Sequence, residues 1–175
     1  MAKLSAGILR YKWVDERLQV LLVHPGGPFW QKKDLGAWSV PKGEYSEEED
    51  PLTVAKREFT EETGIPISDV EDFLGEIKQP SGKHVSVWMV EGDCDVSHIT
   101  SNTFSMEWPP KTGKIQEFPE VDEAVWFPVE VALSKILKGQ RGFIDLLAKK
   151  VNYTYSLETT NQDDQGGNAQ RSLFD

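Results

Sequence analysis

The sequence holds a single cysteine, Cys94, and only three histidines among 175 residues. A lone cysteine excludes an internal disulfide and a cysteine-based zinc site, and it fits a reducing compartment. His24, His84 and His98 stand too far apart in sequence for a local metal motif. The N-terminal "MAKLSAGILRYKW" lacks a long apolar core, and no uninterrupted apolar stretch approaches membrane-spanning length. The expectation is a cytoplasmic protein with no membrane partner. Positive charge is also short: 19 Lys and Arg stand against 29 Asp and Glu, a net charge of −10, with no basic run. Binding to polymeric DNA or RNA by phosphate neutralisation is not expected of such a chain. A small polyanionic substrate would need a cation to bridge it to this protein.

What is present suits one folded domain. Hydrophobic residues make up 38% and include six Trp, enough for a core at this length. "SAGILRY" and "RLQVLLVHP" read as strands around the polar turn "KWVDE". A Gly/Pro-rich loop follows, then a short strand "AWSVP" and an acidic loop "KGEYSEEED". Asp50-Pro51 starts a helix, Asp as N-cap and Pro as first helical residue, that should run through "PLTVAKREFTEET" and stop at Gly64. "VEDFLGEIKQP", "HVSVWMVEGD" and "EVDEAVWFPV" are further strands, the first two a hairpin around "SGK". Residues 93–119 read as a long irregular segment of the kind that is usually functional. Residues 128–151 read as a helix, broken near Gly139 to Gly142, whose Val131, Ile136, Leu137, Phe143, Leu146 and Leu147 serve packing. From Asn152 the composition turns polar, which divides the chain into a domain over 1–151 and a mobile tail over 152–175. Strands interleaved with helices make the fold class α/β.

"REFTEETGI", residues 57–65, breaks several local rules at once. Glu58, Glu61 and Glu62 fall within an arc of roughly 100° on the helix, beside an apolar stripe of Leu52, Ala55 and Phe59. Glu58 and Glu62 form a like-charge i,i+4 pair, and Glu61 and Glu62 occupy the last turn, where the helix dipole disfavours negative charge. A solvated acidic face is the plain reading. A divalent cation accounts for the placement better, because carboxylates are the hard oxygen ligands that Mg²⁺ prefers. The EF-hand pattern does not fit: "DCDVSHITSNTF" lacks the central Gly and the terminal Glu. Zinc is poorly served by carboxylates alone.

The surrounding residues narrow the reading. Gly43, Glu49, Arg57, Glu58, Phe59, Glu61, Glu62, Gly64 and Ile65 follow the spacing G-x5-E-x7-R-E-U-x-E-E-x-G-U, with aromatic Phe59 at an apolar position. This resembles the signature of the Nudix hydrolases, the family related to MutT. The order of elements and "WSVPKGE" before the box extend the likeness over most of residues 4–150. The resemblance implies an α/β/α sandwich around a mixed sheet, with the box as a loop–helix–loop. It implies cleavage of a phosphoanhydride in a nucleoside diphosphate linked to a group X, with Mg²⁺ or Mn²⁺. By the same resemblance Glu58, Glu61 and Glu62 hold the metal, with the Gly43 carbonyl as a further ligand. Arg57 orients the carboxylates, paired with Glu49. Family members often place a Glu six residues before a Trp late in the sheet; Glu120 precedes Trp126 at that spacing and is the expected ligand or base. Glu58 also competes for the role of base, and Glu117 and Glu123 compete with Glu120.

Lys42 in "PKGE" looks like the Lys of dinucleoside polyphosphate and capped-RNA hydrolases. Lys32, Lys33, Lys83 and His84 are other candidate phosphate contacts, and Trp30, Phe104 and Trp108 candidate stacking partners for a base. Dinucleoside polyphosphates or nucleoside triphosphates, oxidised ones included, are the expected substrates. ADP-ribose, inositol pyrophosphates and RNA 5′ ends are the alternatives, and a metal-dependent nucleotide-binding module without turnover is the alternative of another class. In the tail, "QRSLF" resembles the Q-x-x-L-F peptides that dock bacterial proteins on the sliding clamp, through Gln170, Leu173 and Phe174.

Overall fold

A computed structural model describes residues 3–68 and 71–156. The clamp-like peptide and most of the expected tail lie outside these residues. Among the described residues, a six-stranded mixed sheet with helices on both faces forms an α/β/α sandwich, as expected, and two further strands form a separate hairpin. The elements are β1 (Leu4–Val14), β2 (Arg17–Pro25), β3 (Lys42–Tyr45), α1 (Pro51–Thr63), β4 (Glu71–Lys78), β5 (His84–Glu91), β6 (Thr103–Glu107), β7 (Ile115–Pro119), β8 (Val121–Pro128), α2 (Val129–Lys135) and α3 (Arg141–Lys150). The central order is β4-β5-β1-β2-β8, with β1 and β5 parallel and the other pairs antiparallel. Residues 5–11 of β1 are buried without interruption, because helices cover both faces. On one face Val54, Ala55 and Phe59 of α1 pack on Ala6, Ile8, Leu21 and Val23. On the other, Phe143, Ile144 and Leu147 of α3 pack with Leu9, Val20 and Leu22.

One edge of β1 is forked. Its residues Leu4 to Gly7 pair with β3, while Tyr11 to Val14 pair with β2. Between the two, the Ile8 amide donates to the Pro41 carbonyl at 3.1 Å. The fork carries Lys42 and Gly43 into the sheet, where α1 crosses above them.

Several local expectations need correction. "KGEY" is strand β3 rather than loop, because its backbone completes the free part of the β1 edge. "AWSVP" makes only isolated bridges, Val23 to Ser39 and Trp38 to Ile136. The β1–β2 turn is tighter than the five residues expected: Asp15 and Glu16 close it alone, with φ of 51° and 65°, the left-handed pair that a two-residue hairpin requires. The 93–119 segment contains a separate hairpin of β6 and β7. The helix over 128–151 breaks earlier than its glycines: Ile136 turns extended because it bridges Trp38, and a 3-10 turn, Lys138–Gln140, precedes α3. Val131 is 40% exposed and is not a packing residue. Beyond α3 the chain still packs: the Tyr153 hydroxyl donates to Glu130 at 2.9 Å and that of Tyr155 to Asp145 at 3.2 Å.

Candidate active site

Helix α1 forms where its caps place it. The Asp50 carboxylate accepts from the Thr53 amide at 3.0 Å and from its hydroxyl at 2.7 Å, and Pro51 opens the first turn. Gly64 ends the helix at φ 81°, its amide donating to the Thr60 carbonyl at 2.7 Å. Between these caps, burial of Val54, Ala55, Phe59 and Thr63 fixes the rotation of the helix. Glu58 and Glu62 are thereby turned toward β3, and Glu61 toward the segment after residue 100.

Gly43 lies directly beneath Glu58. A Cβ at this position would land on the Glu58 carboxyl group, so only glycine lets the carboxylate lie against the β3 backbone. On the far side, two backbone hydrogen bonds join helix and sheet through Asn102. Its amide donates to the Glu61 carbonyl, and its carbonyl accepts from the Glu120 amide, both at 2.8 Å. The Gly26 amide then donates to the Glu120 carbonyl at 3.0 Å. Glu120, at the junction of β7 and β8, is thus held opposite α1.

The resulting cleft has a volume of about 740 Å³. Its lining combines Glu58, Glu61, Glu62, Glu120, Lys42 and the Gly43 backbone with Pro25, Phe29, Trp30, Asn102, Phe104 and Met106. A smaller pocket of about 220 Å³ opens from it and shares Trp30, Lys42, Glu62 and Glu120. Of the three acids that competed late in the sheet, Glu120 lines the cleft. Glu117 accepts from the Thr103 hydroxyl within the hairpin, and Glu123 borders a different hollow beside Trp126. Lys83 sits beside Lys42 and reaches Glu44 at 3.9 Å. Lys33 lies outside the lining, its Nζ 5.8 Å from the Trp30 ring centroid. Trp108 stacks edge-on to Phe29 at 5.5 Å and is one layer removed from the cleft. His84 pairs with Glu76 at 3.3 Å instead.

Arg57 holds the acids apart. Its guanidinium is 3.6 Å from Glu49, 3.8 Å from Glu58 and 3.7 Å from Glu61. The Ser46 amide donates to Glu49 at 2.9 Å and fixes the far end of this network. Among the described residues no three His, Cys, Asp or Glu side chains converge as a ready-made metal cluster. The sequence suggested convergence; here the like charges spread around the cation that the chain itself supplies. Burial, with Glu61 and Glu120 adding negative potential, pushes the Glu58 carboxyl up. Burial pushes Glu62 up to about 8, partly offset by Lys42 and reinforced by Glu58 and Glu120. Lys42 is pushed down, first by burial and then by its neighbour Lys83. Desolvated carboxylates lining a cleft, and a glycine that clears space for one of them, suit a hard divalent cation.

Some of this was not legible in the sequence. Asn102, Phe29 and Met106 belong to the cleft, yet none sits in a recognisable motif. The only signal for the hairpin residues was the alternation in "TFSME", too short and too exposed to stand out.

No curated protein matches the chain. Solved structures do match its fold. The NUDIX domain of Shewanella oneidensis NrtR, in complex with ADP ribose, superposes with a TM-score of 0.61 at 17% identity, covering 86% of this chain and 89% of that one. A binary complex of the Caenorhabditis elegans Ap4A hydrolase gives a TM-score of 0.59 at 18% identity, covering 86% and 98%. The C-terminal domain of mouse MUTYH, in complex with human PCNA, gives 0.57 at 14%, covering 93% and 98%. The NUDIX domain family model matches residues 3–147, from the first strand through the box helix and the Glu120 segment into α3, and on that extent the chain belongs to the Nudix hydrolases, which act on phosphoanhydride bonds.

Proposed function

We propose that this protein is a Mg²⁺-dependent pyrophosphohydrolase of dinucleoside polyphosphates or nucleoside triphosphates, with Mn²⁺ as a substitute metal. The observation that carries this reading is one cleft lined by both acids and aromatic side chains. Its acids suit a metal-bound polyphosphate, and its aromatic side chains suit a base that stacks. Two fold relatives, the ADP ribose complex and the Ap4A hydrolase, concern ligands with linked phosphates.

Glu58, Glu61, Glu62, the Gly43 carbonyl and Glu120 would hold the cation. When bound there, it neutralises phosphate oxygens and lowers the pKa of the attacking water. The chain's own residues do the rest. Arg57 keeps Glu58 and Glu61 separated, anchored by Glu49. Lys42 and Lys83 meet the phosphate oxygens that face β3. Glu120 is exposed to the cleft, and no cation pairs with it among the described residues. It stands on a different element from the helix acids and serves either as a ligand or as the acceptor of the attacking water's proton. Phe104, Met106 and Trp30 exclude water from the base and set its distance from the acids.

The test is a panel of diadenosine polyphosphates, oxidised and ordinary dNTPs, ADP-ribose, inositol pyrophosphates and 5′-triphosphorylated RNA, with Mg²⁺ and products identified by mass. Preferential cleavage of the first two classes supports the reading. Preference for another member reassigns the substrate, and binding without cleavage would make the protein a nucleotide-binding module.

We also propose that the tail docks on a sliding clamp through Gln170, Leu173 and Phe174. Its support is the "QRSLF" peptide and a fold relative solved in complex with PCNA. Deletion of residues 170–175 should abolish clamp binding; an intact chain that does not bind a clamp ends the idea.

A further inference from the structure

His24 ends β2 just before the cleft loop and is 5% exposed. Its Nδ1 lies 2.9 Å from a carboxylate oxygen of Asp122, and its Nε2 lies 2.6 Å from the Lys33 carbonyl. Both partners can only accept. A neutral imidazole carries one N–H, so it can satisfy one of them and must turn a lone pair toward the other. Only the doubly protonated ring donates to both.

Each partner neighbours a residue of the cleft lining: Lys33 follows Trp30 on the loop, and Asp122 follows Glu120. Lys33 closes a chain of turns: its amide donates to the Trp30 carbonyl at 2.9 Å, and the Trp30 amide donates to the Gly27 carbonyl at 3.3 Å. Holding the Lys33 carbonyl therefore holds Trp30, which lines both the main cleft and the smaller pocket. Asp122 lies two residues beyond Glu120 on β8. We propose that His24 is a positioning residue: in its doubly protonated form it ties the Trp30 loop to the strand that follows Glu120, and so sets the place of Trp30 in the cleft lining.

Other charged groups near the ring are accounted for. Glu123, the register partner of His24 on β8, is exposed. Asp34, from the same loop, accepts from the Trp38 indole at 2.8 Å and pairs with Lys135 of α2. Trp38 meets the imidazole edge-on, with ring centroids 5.0 Å apart. Asp122 is thus the carboxylate whose contact depends on the proton at Nδ1. Loss of either ring proton turns a lone pair toward one of the two acceptors, so the tie loosens as pH rises.

The effect on substrate rests on the nucleotide reading above; the protonation and the tie do not. The experiment follows the full chain from about pH 5.5 to 8.5, reading the His24 ring nitrogens by NMR and backbone exchange over residues 27–36. At the acid end both ring nitrogens should carry protons. Once one is lost, the Trp30 and Lys33 amides should exchange about 2- to 10-fold faster than the intrinsic trend, the worth of one hydrogen bond. With any substrate that turns over, KM should rise by a similar factor over the same range, with no matching change in kcat. His24→Gln should hold the high KM at every pH. Asp122→Asn, at a partly exposed carboxylate, should move the onset to lower pH, a shift that a merely structural contact would not produce. A singly protonated ring at the acid end, or wild type and His24→Gln that track each other in exchange and KM throughout, would overturn the proposal. If nothing on the panel is cleaved, the nucleotide reading fails by itself, and the ring and exchange data still decide the tie.

Discussion

Gly43 has no side chain because Glu58 occupies the space a methyl group would need. Gly43→Ala should therefore leave the fold intact and move the Glu58 carboxylate off its place against β3. Displacement of a reacting group by about 1 Å costs on the order of 100-fold in rate, which initial-rate kinetics alongside circular dichroism would show. Glu62 supplies a second prediction. Burial pushes its carboxyl up to about 8, while the unfolded chain ionises near the ordinary value of about 4.3. Between those values the folded state holds a proton that the unfolded state has released, so metal-free stability should fall as pH rises toward 8 and level off above it. Lys42, pushed down, acts with the opposite sign and at higher pH. Melting temperature in metal-free buffer from about pH 5 to 9 checks this; Glu62→Gln should flatten the slope, and a rise across the window would refute it. At this scale the sequence was highly legible. Its spacing brought Gly43, Glu49, Arg57 and the three helix acids into one site, because a box of fixed spacing leaves the helix little freedom. The place of Arg57 among the acids came from the family resemblance and not from spacing, since the position of a long side chain depends on its neighbours in space.

At the scale of the element, α1 was readable from both ends: Asp50-Pro51 caps it and Gly64 stops it, as the hydrogen bonds show. Asp50→Ala should cost about 1 kcal/mol of stability, measured by denaturant unfolding, with kcat falling only as far as the first turn frays. The β6–β7 hairpin was not readable. It buries little and is held by cross-strand contacts such as Phe104 to Phe118, with ring centroids 6.0 Å apart, which alternation in five residues does not reveal. Phe104→Ala should raise KM about 10-fold, as loss of one stacked base allows, with a smaller change in kcat. Equal losses in both would assign Phe104 to the reaction itself. The break between α2 and α3 teaches the same lesson: Gly139 and Gly142 looked like the breakers, but the Ile136–Trp38 bridge decides it, and no local signal marks a bridge between residues so far apart.

At the scale of the whole molecule, the forked edge of β1 is what makes the site possible. β3 enters the fork with Lys42 and Gly43, α1 lies across it, and Asn102 ties Glu61 to the Glu120 segment. A cation bound by these elements binds only the folded chain, so it should stabilise the protein by about 2.7 kcal/mol at a hundredfold excess over its Kd. It should also release a proton from Glu62 near neutral pH; calorimetry in buffers of different ionisation enthalpy reads both effects. The central claim is that this assembly hydrolyses phosphoanhydrides through the helix acids. Its most direct test is the initial rate of phosphoanhydride cleavage with saturating Mg²⁺ by wild type and Glu61→Gln, on the best substrate of the panel. The account predicts rapid, metal-dependent cleavage by wild type and a loss of about 100-fold or more in the variant. Equal rates in the two proteins, or a wild type that binds the panel and cleaves none of it, would contradict it.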